Sequence, residues 1–200
     1  MKTKSAKKRQ AIVDAAAQLF REVGYERTSM ADILERVGGS KATLYNHFPS
    51  KEVLFFETAF PSIEKESNAV YELLDGPLDD VGRVLVEFGE RALELAYSPD
   101  VIAARRLTIA EATRFGIGPR GYELGYLPTL RRLAGFMERA MAAGQLRQGD
   151  PTLAALQMSA LFEAELIQRL LYAVLEPGED LDIPAKVARA VDAFLAIYRR

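Results

Sequence analysis

The residues best suited to chemistry lie in one short stretch, GGSKATLYNHFPSKEVLF, which runs from Gly38 to Phe55. It contains His47, the only histidine of a 200-residue chain that has no cysteine and no tryptophan. Tyr45 and two Ser-Lys pairs lie close by. One histidine without a paired acid or nucleophile does not make a catalytic constellation. Hydroxyl, imidazole, amide and ammonium groups together are typical of a surface that contacts phosphates and base edges.

The elements that must position this stretch are predicted to be helices. Apolar residues recur at helical spacing over residues 12–23, and Gly24 is expected to end that first helix. A second, shorter helix is expected near residues 30–37, because its apolar residues keep the same period. Ser29 and Asp32 have the spacing of a capping box at its start.

A third helix over residues 41–47 follows the break at Gly38-Gly39, with Ser40 as its predicted N-cap. Two short helices joined by a glycine turn and packed on a longer one predict a helix-turn-helix, whose second helix enters the DNA major groove. Early residues of that helix read bases, and polar residues around it reach phosphates. The predicted DNA-binding residues are Thr28, Ser29, Ser40, Lys41, Ala42, Thr43, Tyr45, Asn46, His47 and Lys51.

Simpler explanations exist for several of these residues. His47 near a helix end is also suited to pairing with the last carbonyls of that helix. Ser40 and Ser50 are suited to capping before any role as ligands. The basic residues at the start of the chain are expected to form a mobile arm that attracts DNA. They are Lys2, Lys4, Lys7, Lys8 and Arg9.

Composition favours a globular protein with two differently charged parts. The net charge is −2, but residues 1–51 carry ten Lys and Arg against five Asp and Glu, so the acidic excess lies in the remainder. A basic first part suggests a polyanionic partner for that part, although a solvated lysine-rich terminus would explain the charge alone equally well. The lack of cysteine excludes disulfides and thiolate metal sites, and no metal or cofactor is expected. Without a secretory or membrane-spanning segment, the predicted location is the cytoplasm, with nucleoid association when bound to DNA.

The rest of the chain is predicted to be helical as well, which gives an all-α fold of about nine helices. Residues 1–50 would form the helix-turn-helix domain and residues 51–200 a helical effector-binding and dimerisation domain. Pro61 falls inside the fourth helix and is expected to kink or split it. The remaining helices are expected near residues 51–74, 79–97, 100–113, 122–143, 151–175 and 184–199.

The segment RQAIVDAAAQLFREVGYERTSMADILERVGGSKATLYNHFPSKEVLF resembles the DNA-binding domain of the tetracycline-repressor (TetR/AcrR) family. The resemblance covers residues 9–58 and includes the elements Gly-Tyr-x-x-Thr-Ser and Thr-Leu-Tyr-x-His-Phe-x-x-Lys. It implies that residues 41–43 contact bases and that Tyr45, His47 and Lys51 contact phosphates. The sequence departs from the family pattern at Gly39, where a small aliphatic residue is usual, and at Ala42, where glycine is common.

The last helix is apolar most of the way round, which predicts burial on two sides. The resemblance implies that the last two helices form a four-helix interface of a homodimer, although burial within one chain would also explain their composition. A two-fold dimer predicts recognition helices in successive major grooves and a palindromic double-stranded operator. The predicted interface residues are Leu153, Leu156, Ala160, Glu163, Ile167, Leu170, Val187, Val191, Phe194 and Tyr198.

The resemblance also implies an effector site among the middle helices, for an unidentified apolar or amphipathic small molecule. Aromatic residues with a few hydroxyls are typical of such a cavity, although ordinary core packing would account for each of them. The predicted lining residues are Phe88, Ile109, Thr113, Phe115, Tyr122, Tyr126, Phe136, Met137 and Phe162.

The leading hypothesis is therefore a dimeric transcriptional repressor that an effector releases from its operator. An enzyme is the alternative of a different class, but there is no HExxH motif and no glycine-rich phosphate loop. The carboxylates of Glu111, Glu163 and Glu165 show no spacing that defines a catalytic pair. A second alternative is an effector-free regulator or an activator, whose second domain serves only dimerisation or protein contacts.

Overall fold

The computed structural model describes residues 4–176 and 178–199, in which the chain is helical and contains no β-strand. This confirms the all-α fold class. Lys2 of the predicted basic arm lies outside the described residues. A 3₁₀ turn spans Glu72–Asp75, and a π-helical segment spans Tyr122–Tyr126. The α-helices are α1 (Lys4–Val23), α2 (Met30–Val37), α3 (Lys41–His47), α4 (Lys51–Tyr71), α5 (Val81–Ala96), α6 (Pro99–Ala110), α7 (Ile117–Gly121), α8 (Leu127–Ala142), α9 (Pro151–Glu163), α10 (Ile167–Leu171) and α11 (Ile183–Tyr198).

The first three helices and the start of α4 enclose a small apolar core of their own, and we call this part the head. Ser29, Ser40 and Ser50 cap the three helices that follow α1, so each begins where the sequence predicts. Each cap satisfies a backbone N–H that the first helical turn leaves unpaired. The buried core residues of the head are Ile12, Ala16, Leu19, Ile33, Leu44, Phe48 and Leu54.

The helices α5 to α11 form the body, whose larger core lies between α5, α8, α9 and α11. Their close approach depends on Gly89 of α5. A Cβ at this position would lie 2.4 Å from Cε1 of Phe162 and 2.8 Å from Cγ1 of Val187, both inside normal contact. Phe88, Phe136 and Phe194 are almost fully buried around this crossing. Interiors at crystal-like density leave no room for one more methyl group.

The helix α4 joins head and body and continues through Pro61, so the proline does not split it. Several other boundaries differ from the sequence prediction, two of them in the number of helices. The helix expected over 151–175 is interrupted at 164–166, between α9 and α10, where no glycine or proline marks a break. The segment before residue 122, which the sequence predicts to be a break between two helices, contains α7.

Helix α7, the π-helical segment and α8 form one helical run, and Pro128 explains the wide turn within it. Proline has no N–H, and its ring crowds the carbonyl four residues earlier in an α-helix. At the end of the widened turn, the Leu127 N–H bonds to the carbonyl of Tyr122, five residues back. Among the described residues, none of the helices combines the length and the apolar composition needed to cross a membrane.

Candidate nucleic-acid interface

The helix α3 is fixed at its N-terminus by its cap and on one side by the core of the head. The backbone N–H of Thr43 donates to Oγ of Ser40 at 3.1 Å, and the two hydroxyls lie 2.9 Å apart. Leu44 and Phe48, one turn apart, are buried, as the sequence predicts. Helical geometry then turns the remaining side chains outward. The orientation of α3 therefore follows from local bonds and two apolar anchors.

The outward face of α3 carries half of the predicted DNA-binding residues together. Ser40, Lys41, Ala42, Tyr45 and Asn46 are exposed. The Lys41 ammonium lies 5.7 Å from the centre of the Tyr45 ring, so the cation and the aromatic hydroxyl face the same space. This surface offers donors suited to guanine acceptors and to phosphate oxygens.

Thr43 and His47 flank this exposed face and are half-buried. The structure shows no hydrogen bond from His47 to the helix-end carbonyls among the described residues. The pairing that the sequence left as an alternative is therefore not formed here. The His47 ring lies 6.5 Å from that of Phe48. Thr43 and His47 therefore lie beside the exposed face of α3.

Two of the predicted contacts, Thr28 and Ser29, are committed to the protein itself. Thr28 is buried, and its hydroxyl donates to the carbonyl of Gly24 at 2.8 Å. The sequence predicted a hydroxyl available to DNA, whereas the structure places it inside the head. Both the N–H and the hydroxyl of Ser29 donate to Oδ2 of Asp32, each at 2.8 Å. This confirms the predicted capping box. The hydrogen bonds from the Ser29 backbone and hydroxyl hold the pKa of Asp32 below its ordinary value.

Lys51 at the start of α4 is partly engaged. Its ammonium donates to the carbonyl of Tyr25 at 2.9 Å and lies 4.1 Å from the centre of the Tyr25 ring. An ammonium has three N–H groups, so donors remain for a phosphate oxygen. Tyr25 in turn donates to Glu52 at 3.2 Å. Burial, and then the charge of Glu52, raise the pKa of Tyr25 well above its usual range.

Lys8 holds the turn between α2 and α3, which the sequence did not reveal. Its ammonium, on α1, donates to the carbonyls of Gly38 at 2.7 Å and Val37 at 3.2 Å. A cation at a helix C-terminus satisfies unpaired carbonyls and favours the helix dipole. Gly39 follows with a positive φ of 108°, and a Cβ there would lie 3.2 Å from the Lys8 ammonium. Lys8 therefore positions the recognition helix and does not belong to a free arm.

Glu57 of α4 connects the head to the body. One carboxylate oxygen accepts from Arg9 of α1 at 2.5 Å, and the other pairs with Arg120 of α7. The Glu57 side chain is only 11% exposed. Burial raises the pKa of Glu57, but the hydrogen bonds from the two arginines outweigh burial and leave it below the ordinary value. The carboxylate is therefore charged while it bridges the two parts.

Comparisons with known proteins agree with this geometry. Residues 12–58 match the model of the family described as bacterial regulatory proteins, tetR family. Residues 83–200, more than half of the chain, match that of the AefR-like transcriptional repressor C-terminal domain. The chain belongs to the TetR family. It is therefore a DNA-binding transcriptional repressor and not an enzyme, and the family assignment confirms the resemblance in the sequence.

Among individual TetR relatives, the A-factor receptor protein of Streptomyces griseus is 40% identical over 70 residues, which are 32% of this chain and 25% of that protein. The match therefore spans about a quarter of that relative's length. A TetR-family regulator from Mesorhizobium loti has the same fold over 100% of both chains, with 27% identity and a TM-score of 0.79. The flavonoid-responsive regulator FrrA matches over 96% of this chain and 97% of its own, with 31% identity and a TM-score of 0.69.

The TetR body divides the predicted dimer residues into two groups. Leu153, Leu156 and Ala160 are exposed on α9, and Glu163 and Ile167 are half-buried. The other five are buried in the core of the protomer itself. The helix α11 is apolar most of the way round and packs against both α5 and α9. The five buried residues are Leu170, Val187, Val191, Phe194 and Tyr198.

The nine predicted effector residues are not brought together around one cavity. Phe88, Phe136, Met137 and Phe162 are buried in the body core, and the rest lie at its surface. The surface group consists of Ile109, Thr113, Phe115, Tyr122 and Tyr126. An open cleft of about 370 Å³ lies elsewhere, along α11, and includes none of the nine. Aromatic residue type alone did not separate core from surface.

A polar cluster beside these residues was missed by the sequence prediction. Arg105 of α6 donates to both carboxylate oxygens of Glu163 at 2.6 and 2.9 Å. The hydroxyl of Tyr97 is buried nearby with no hydrogen-bond partner in the described structure. Burial and the charge of Glu163 raise the pKa of Tyr97 well above its usual range, and Arg105 opposes them. The sequence carried no signal for this cluster, because its members come from α6, α9 and the residue that follows α5.

Proposed function

We propose that this TetR repressor is a homodimer that reads a palindromic operator through α3 and that a small-molecule effector releases it. The observation that carries the proposal is the exposed face of α3. It presents the Lys41 ammonium, the Tyr45 hydroxyl and the Asn46 amide together, on a helix that its cap and core anchors hold rigidly. A rigid helix that presents polar groups of this kind is suited to the major groove. The division into residues 1–50 for DNA and 51–200 for effector and partner remains part of the proposal.

Homodimer formation is supported by apolar side chains left at the surface of two adjoining helices. Leu153 and Leu156 of α9 are 48% and 39% exposed, and Ile197 of α11 is 53% exposed. The helices α9 and α11 pack on one another, so we expect these side chains to border one face. A second copy of the same face would cover it by two-fold symmetry. The pair of α3 helices would then meet major grooves about one helical turn apart, roughly 34–36 Å.

Release by an apolar or amphipathic effector is supported by FrrA, whose description as flavonoid-responsive applies to a chain 31% identical to this one. The rings of Tyr122 and Tyr126 lie 5.5 Å apart beside the Arg105–Glu163 pair, and they are an aromatic surface for such a molecule. An effector acts only if it binds the released arrangement more tightly than the DNA-bound one. It would shift the equilibrium between two arrangements of the heads.

Selection of bound sequences from random duplex DNA tests the DNA-reading part. The chain should enrich a palindrome, whereas the Lys41→Ala/Tyr45→Ala variant should not. A variant that removes one positive charge away from α3, Lys65→Ala, is the matched control, because Lys65 is exposed on α4. Equal enrichment by all three proteins would refute the proposed role of α3.

A thermal-shift screen with apolar and amphipathic aromatic compounds tests the effector. A compound that raises the melting temperature of the protein and weakens operator binding supports the proposal. Melting temperatures unchanged across the panel, together with operator binding unchanged by every compound, would favour the effector-free regulator. Sedimentation of the protein at micromolar concentration tests the dimer, and a monomer there would contradict it.

A further inference from the structure

Glu57 occupies the point where three helices of different parts meet. Arg9 reaches it from α1 in the head, and Arg120 reaches it from α7 in the body, on opposite carboxylate oxygens. The two arginines are 44% and 47% exposed, whereas the carboxylate is 11% exposed. A nearly buried carboxylate with two guanidinium partners binds them much more strongly than an exposed ion pair would. The three side chains therefore tie the head to the body.

Each end of this bridge is also held by an aromatic ring. The Arg9 guanidinium lies 4.9 Å from the ring centre of Phe48, which is fully buried in the head core. The Arg120 guanidinium lies 5.3 Å from the ring centre of Phe56. Phe56 stacks on Phe60 with ring centres 3.9 Å apart. Positions over an aromatic ring suit the planar guanidinium of arginine better than the ammonium of lysine, so the bridge is built from a planar cation at both ends.

Pro61 lies close to this bridge and makes α4 easier to bend there. It lies four residues after Glu57, so the carbonyl of Glu57 lacks the N–H that an α-helix would normally supply there. Helices bend most easily where a proline removes such a bond. Near this bond-free point of α4, the contacts of Arg9 and Arg120 with Glu57 keep the head and the body in a fixed orientation.

A change of this angle would be felt at the DNA. Glu57 lies six residues along α4, which at a rise of about 1.5 Å per residue is about 9 Å from the head end of the helix. A tilt of about 20° over that length moves the head by roughly 3 Å. This is close to one base-pair step of about 3.4 Å.

We propose that Glu57 is a specificity-determining residue for the spacing between the two half-sites of the operator. It binds Arg9 and Arg120 at once, and thereby fixes the head on the body and the distance between the two α3 helices of the dimer. It does so without touching DNA, so base preference within a half-site does not depend on it. This inference rests on the proposed dimeric function.

The experiment measures binding to duplexes that carry the selected half-sites at spacings that differ by one base pair. The wild type should prefer one spacing, and Glu57→Gln should lower that preference roughly tenfold, as loss of a buried charged partner does. Arg120→Gln should act in the same direction, and the double variant should add little, because both changes break one bridge. Half-site base preference should stay the same in every variant.

Arg36→Gln is the matched control, because Arg36 pairs with Glu22 at 2.7 Å within the head. It removes an ion pair of similar geometry that does not reach the body, so spacing preference should be unchanged. Circular dichroism establishes that each variant is folded, and Arg120→Gln serves if Glu57→Gln is not.

Spacing preference equal to that of the wild type in both Glu57→Gln and Arg120→Gln would overturn the proposal. A loss of half-site base preference in these variants would also overturn it, since Glu57 would then shape α3 itself. If the wild type selects no paired half-sites, the dimeric operator fails first and this inference falls with it.

Discussion

The serine caps of the head and the Arg105–Glu163 pair of the body hold polar side chains over very different distances along the sequence. In the head, Ser29, Ser40 and Ser50 bond to backbone groups three residues away. In the body, Arg105 bonds to Glu163, 58 residues away. Bonds over three residues follow from local sequence, whereas bonds over 58 require the complete fold. Local sequence patterns therefore predict the helix caps well and the contacts between distant helices poorly.

The largest expected effect comes from the close packing of the body. Gly89→Ala would place a methyl group 2.4 Å from Phe162 and should lower the free energy of unfolding by about 2–3 kcal/mol. Gly135→Ala is the matched control, since nothing lies within 4 Å of its Cβ position in α8. It should raise the same free energy by about 0.5–1 kcal/mol. Denaturant unfolding measures both changes. Equal stability of the two variants would mean that body packing is looser than described.

In the head, Lys8→Met should weaken operator binding roughly tenfold without changing its dependence on salt. The reason is that Lys8 holds the turn carbonyls of Gly38 and Val37. A lysine bound to phosphate would instead reduce the slope of log affinity against log salt by about 0.9. Titrations at several salt concentrations measure this slope. Lys7→Met is the control, because it removes an exposed lysine from the same helix. A reduced slope for Lys8→Met would instead mean that Lys8 contacts DNA phosphates.

Substitutions at Ser40 separate its capping role from its place on the DNA face. Ser40→Ala should lower the free energy of unfolding by about 1 kcal/mol, because α3 loses its cap. Ser40→Asp should keep the stability, since aspartate caps equally well, but should weaken operator binding by adding a negative charge to the exposed face. Unfolding and DNA titrations on the same samples measure the two quantities. Unchanged operator affinity in Ser40→Asp would place Ser40 outside the interface.

The smallest expected effect concerns the capping box of α2 and its pH dependence. The pKa of Asp32 is lower in the folded chain than its ordinary value of 3.8, so the folded state binds fewer protons at this group. Its contribution to stability is therefore complete above pH 3.8 and is lost as the pH falls through the lower, folded-state pKa. Denaturant unfolding between about pH 5 and pH 3 should show a shallower loss for Asp32→Asn. Parallel curves for the two proteins would contradict this.

The sequence predicted the fold class, the boundaries of α2 and α3, the three serine caps and the inward position of Leu44 and Phe48. These features follow from residue spacing within one or two turns. It did not predict that Thr28 is buried, because a hydroxyl beside an exposed helix start has the same local pattern in either orientation. Nor did it separate the buried Phe136 from the exposed Phe115 of the body. Burial there depends on which distant helix covers a residue, and no local period records that.

The contact between Lys8 and the turn has a consequence for engineering hybrid repressors. Recognition helices are commonly thought of as exchangeable cassettes, but the ammonium of Lys8 lies against the space that a side chain at position 39 would occupy. The first helix and the turn are therefore a matched pair. A hybrid that receives α2 and α3 from this chain needs a lysine at the position of Lys8 in its first helix. A hybrid that keeps α1 of this chain and receives another turn needs a glycine at position 39 of that turn. Exchanging either partner alone would change the contact that holds the turn before α3.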